Sequence, residues 1–99
     1  MNNKYIVIQW DLNSNSRIIG MFPSYPNAFL FVKQLVKDGI EFWFDILKVQ
    51  ETDWQKAIEI YKNQNGEGYY KTVATTNVPG KQYGWLINFI TGEEINLLK

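Results

Sequence analysis

The chain of 99 residues has no histidine and no cysteine. A Ser-His-Asp or Cys-His nucleophile system therefore cannot be assembled, nor can a zinc site of the usual His/Cys type. Of the three serines, Ser14 and Ser16 fall in one turn-like cluster. Catalysis would have to run on carboxylates, lysine or tyrosine. Asp11 and Asp45 are the pair to weigh, because each sits in or beside an apolar, strand-like run. Two carboxylates on neighbouring strands can hold Mg²⁺ or divide acid and base roles. The plainer account makes both of them solvated strand-face residues, and the expectation is no enzyme, no metal and no cofactor.

A second group is motif-like. Asp11-Leu12-Asn13-Ser14-Asn15 has the first half of an EF-hand calcium loop, which needs Gly at its sixth position and Glu at its twelfth. Ser16 and Phe22 stand there instead. The segment also lies between strand-like runs, and Asn, Asp and Ser all favour tight turns. A hairpin turn accounts for every residue of it.

Lys81-Gln82-Tyr83-Gly84-Trp85-Leu86 runs basic, polar, aromatic, glycine, aromatic, aliphatic. It resembles the aromatic strand motif of RNA-recognition and cold-shock domains over six of the 99 residues. In those families the aromatics stack on bases and the basic residue meets phosphate. The resemblance implies single-stranded nucleic-acid or nucleotide binding through Lys81, Tyr83 and Trp85, and Arg17, outside the motif, is a candidate further cation for that ligand. The chain departs from the pattern at Gln82, where Gly is usual, and at Asn88, where the last aromatic would fall. The segment also follows both predicted helices rather than preceding the second. The competing account is a strand whose alternate residues Tyr83, Trp85, Ile87 and Phe89 face the core.

The elements that must position these residues can be read from periodicity. Lys4 to Leu12 and Arg17 to Phe22 read as a hairpin. A helix follows from Pro26 to Asp38, with Pro suited to its first turn and Gly39 to its far cap. Its inner face carries Ala28, Val32, Leu35 and Val36, and Leu30 falls on the other side. Ile40 to Val49 reads as a central strand, apolar on much of both faces, with Ile40, Phe42, Phe44 and Ile46 alternating on one of them. A capping box at Thr52 and Gln55 opens a second helix with the stripe Trp54, Ala57, Ile58 and Tyr61, which Asn65-Gly66 ends. Ile60 is off that stripe. Tyr69 to Thr76, Gln82 to Ile90 and Ile95 to Leu98 complete the set. The fold class is α+β: a mostly antiparallel sheet of about six strands with two helices, in the order β-β-α-β-α-β-β-β.

Length and composition limit the rest. Ninety-nine residues make one domain spanning residues 1–99. With 45% hydrophobic and 16% aromatic residues, it can build a core without disulfides. The absence of cysteine fits a reducing compartment. No signal-peptide core follows Met1, and no run approaches the ~20 apolar residues of a membrane span. The expected location is the cytoplasm, with no membrane partner. Ten basic residues balance ten acidic ones. A duplex-DNA binder needs a basic excess and a DNA mimic an acidic one. Abundant Asn, Ile, Lys and Tyr suggest an AT-rich coding sequence, as in a low-GC bacterium, a mobile element or a phage.

These exclusions leave a small inhibitor or adaptor that occupies a partner protein's surface. Tyr69 and Tyr70 point to opposite faces of one strand, so one ring is expected in the core and the other outside, where tyrosine suits a binding surface. Leu30 and Ile60 are exposed aliphatics on two helices, and together they could meet a second chain, most simply in a homodimer. The expected partner surface is Leu30, Ile60, Tyr69 and Tyr70.

Overall fold

Successive side chains of a strand point to opposite faces, and in the first strand they enter two different cores. The computed structural model describes residues 4–40, 42–50, 54–63 and 70–99, without the side chains of residues 54, 57, 60 and 63. The elements are β1 (Lys4–Trp10), β2 (Ser16–Phe22), α1 (Tyr25–Lys37), β3 (Trp43–Val49), α2 (Trp54–Asn63), β4 (Tyr70–Thr75), β5 (Trp85–Asn88) and β6 (Glu94–Asn96). The strands form one six-stranded sheet, β2-β1-β3-β4-β5-β6, and every neighbouring pair is antiparallel. The class is α+β. The expected Thr52 cap, the Asn65-Gly66 stop and Tyr69 lie outside the described residues, as do the side chains of Trp54, Ala57 and Ile60.

Val7 packs with Ala28, Val32 and Val36 of α1, Phe44 and Ile46 of β3, and Leu86 of β5. Its neighbours Ile6 and Ile8 turn the other way, to Leu47 and Val49, with Tyr61 of α2 and Tyr70 of β4 packed against them. The two helices therefore take opposite faces of the sheet. The central β3 is covered on both, as its doubly apolar pattern implies.

Helix α1 starts where Ser24 caps it, the Oγ accepting from Asn27 N at 3.4 Å. It ends in a double hydrogen bond: Gly39 N donates to Val36 O and Ile40 N to Leu35 O. This pair is the closure that a left-handed residue after the last turn makes possible, and Gly39 has φ 77°. The cap corrects the expected start of β3. Ile40 is tied to the end of the helix, and Phe42 has φ 83°. A positive φ breaks the two-residue alternation, so the strand begins only at Trp43. Ile40 and Phe42 stay 39% and 37% exposed instead of joining Phe44 inside.

Two irregularities re-aim side chains toward α1. The β1–β2 pairing passes over Ile19 and the β3–β4 pairing passes over Val73. An extra residue on one strand bends it and shifts the following side chain's direction. As a result Val73 and Ala74, though consecutive, both enter the core under α1. Gly20, opposite Val7, leaves space for the Phe22–Phe31 ring pair, with centroids 5.0 Å apart; a Cβ there would sit 2.7 Å from the Phe22 ring.

Candidate binding surface

The motif strand turns over relative to the core-facing alternation predicted from its aromatics. Leu86 is fully buried under α1, whereas Tyr83 and Phe89 are 46% and 51% exposed. The strand is also shorter than the run Gln82 to Ile90, because Gly84 at φ 108° holds the chain in a turn until Trp85. Tyr83 reaches back from that turn. Its hydroxyl donates to Ile40 O at 2.7 Å and to Val36 O at 3.1 Å, clasping the cap of α1.

Since Leu86 faces α1, Trp85 faces the other side, the α2 side. There the Lys81 ammonium lies 4.4 Å from the centroid of its ring. Register brings more tryptophan to the same end. Trp10 is opposite Trp43. Asp45 is opposite Thr75, and Thr75 is opposite Ile87. Two residues before Asp45 and Ile87 come Trp43 and Trp85, so both fall in the next row toward the same end. Adjacent strands lie ~4.8 Å apart, which puts the Trp43 and Trp85 backbones ~10 Å apart. All three tryptophans are half-buried. Part-exposed Phe42 precedes Trp43 in the chain, Ile40 and Tyr83 are exposed at the cap of α1, and Leu98 packs beside Gly84 at the start of β5.

Asp45 sits within this surface. The Trp10 indole donates to its Oδ2 at 2.9 Å. Asp11 is engaged elsewhere, since its Oδ1 accepts from Asn13 N at 2.8 Å and Asn15 N at 2.9 Å. Those backbone donors, Asn15 first, hold the Asp11 carboxyl below its ordinary value, because they favour its charged form. The carboxylate thus closes the hairpin turn. Among the described residues no group of three or more His, Cys, Asp or Glu could hold a metal ion.

Of the residues expected to bind nucleic acid, Tyr83 turns instead to the cap of α1, while Lys81 and Trp85 are brought together. Arg17 is not: it donates to Gln9 Oε1 from Nε at 3.2 Å and Nη2 at 3.0 Å, on the α1 side of the far edge strand. There it helps line a depression of about 340 Å³ with Gln9, Asp11, Asn15, Ser16 and Phe42. Of the expected partner surface, Leu30 is 59% exposed on the outside of α1. Tyr70 is half-buried, its ring 6.0 Å from that of Tyr61 at an interplanar angle of 61°. Tyr69 and the side chain of Ile60 lie outside the described residues. Leu30 and α2 stand on opposite faces of the sheet, so they do not form one patch.

The grouping of Trp10, Trp43 and Asp45 escaped sequence reasoning because it depends on register between strands far apart in the chain. A legible signal was the polar Asp45 inside an otherwise apolar run flanked by tryptophan. Comparison with known proteins finds no matching family model, no matching curated protein and no matching solved structure. No helix among the described residues is long and apolar enough to cross a membrane.

Proposed function

We propose that this protein is a non-enzymatic, cytoplasmic binding domain, a small inhibitor or adaptor, that seats a partner protein on the tryptophan end of its sheet. The observation that carries this reading is the shared row of Trp10, Trp43 and Trp85 at one end of the sheet, with part-exposed Phe42 next to Trp43 in the chain. Tryptophan and phenylalanine are enriched at the centres of protein interfaces and supply a large part of the binding energy there. Phe42 adds a second mark. A bulky residue at positive φ costs ~1–3 kcal/mol, and such strain concentrates at functional positions.

The test compares wild type with Phe42→Gly, each tagged and purified gently from the protein's own source. Glycine relieves the backbone strain as it removes the part-exposed ring, so stability is expected to stay within ~1 kcal/mol. Binding of the co-purifying protein should fall by at least ~30-fold, as for an anchor residue worth ~2 kcal/mol. Undiminished binding by a folded Phe42→Gly variant rejects this surface.

A second reading is supported by one contact. The Lys81 ammonium over Trp85 places a cation and a stacking ring together, as a single-stranded nucleic acid would require. Zero net charge weighs against it. An oligonucleotide in the purified complex, removed by nuclease and lost in Trp85→Ala, would replace the protein partner with that ligand.

A further inference from the structure

We infer that the tryptophan end recognises an arginine side chain of the partner, seated on the indoles and hydrogen-bonded to Asp45. This rests on the protein-binding reading above. Asp45 is a half-buried carboxylate between two strands, and withdrawing such a charge from water is costly unless it is paired. Oδ2 is satisfied by the Trp10 indole. Among the described residues Asp45 has no second partner, neither a hydrogen bond to Oδ1 nor an ion pair. No side-chain polar atom among them is both buried and unpartnered, so Oδ1 is not sealed from solvent. A carboxylate oxygen framed by Trp10 and Trp43 is complementary to a cation.

The molecule itself shows that this row accepts one, because Lys81 lies over Trp85. A cation over an indole face is attracted by the ring quadrupole, most strongly for tryptophan. Guanidinium suits the site better than ammonium. It is planar and weakly hydrated, and it can lie flat on an indole while directing an N–H at a carboxylate.

The test follows the indole N–H resonances of the full chain by NMR. N-acetyl-arginine amide is titrated in, then its neutral citrulline counterpart. The expected result is a saturable shift of the Trp10 and Trp43 indoles with the arginine compound, half-complete near ~10 mM. Citrulline should bind at least ~10-fold more weakly, since it lacks the charge. Asp45→Asn should show a similar loss while its side-chain carbonyl still accepts from Trp10. No saturable shift up to ~100 mM, or equal binding of citrulline, overturns the inference. If Asp45→Asn does not fold, the arginine–citrulline comparison on the wild-type chain decides alone. A negative result here, with Phe42→Gly still losing its partner, removes the arginine and leaves the protein-binding reading intact. If Phe42→Gly keeps its partner, that reading fails on its own.

Discussion

At the scale of single residues, Gly84 is the position where a motif and a fold call for the same residue for different reasons. The aromatic motif uses glycine between two rings. Here the glycine has φ 108°, is buried, and accepts Leu97 N on its carbonyl at 2.6 Å. A Cβ would lie 2.6 Å from Leu98 Cδ1 and 2.9 Å from Cγ. Both backbone strain and close approach therefore select glycine, with no need of a ligand. Gly84→Ala should cost ~1–3 kcal/mol, measured by urea unfolding. Leu98 is 52% exposed and can move aside, so combining Gly84→Ala with Leu98→Ala should cost less than the sum of the two. Strict additivity would mean that the positive φ alone produces the penalty.

At the scale of elements, the tryptophan end is held in place by a tether that no periodic pattern announces. The Tyr83 hydroxyl joins the turn before β5 to the cap of α1 through Val36 O and Ile40 O. Tyr83→Phe removes the donor but keeps the ring. The expected loss is ~1 kcal/mol in chemical denaturation, with faster exchange of the Ile40 amide as the cap loosens. An unchanged Ile40 amide would show that the cap holds without the tyrosine. The antiparallel six-stranded sheet was legible because strand and helix patterns are local, and so was the inner stripe of α1, where Ala28, Val32 and Val36 are all buried. Three features were not. Ile40 continued an apolar alternation that the helix cap interrupts. The extra residues Ile19 and Val73 change which neighbours face α1, and a pattern of strict alternation cannot place them. The candidate surface depends on cross-strand register, which sets Trp10 against Trp43 across more than thirty residues of chain.

At the scale of the whole molecule, the sheet has two unlike faces, and that asymmetry decides how it can meet another chain. One face carries the core under α1, which reaches from Val7 to Leu97. On the other, Tyr61 and Tyr70 pack over β1 and β3, Tyr61 also hydrogen-bonding Ser16 at 2.8 Å, while Trp85 stands at the far side. Leu30 is on the first face and the tryptophan row on the second, so one partner of ordinary size that grips the row does not also cover Leu30. A two-fold dimer uses the same patch on both copies, and zero net charge offers it little resistance. The row gathers three half-buried indoles, whereas Leu30 is a single exposed aliphatic of an ordinary kind. Leu30→Glu should therefore change the unfolding free energy by less than ~0.5 kcal/mol and leave unaltered both partner capture and the mass seen in sedimentation equilibrium. Loss of an assembled species in Leu30→Glu, with stability retained, would move the interface to the outer face of α1. The tryptophan row would then be left as the lining of a fold and not as its binding surface.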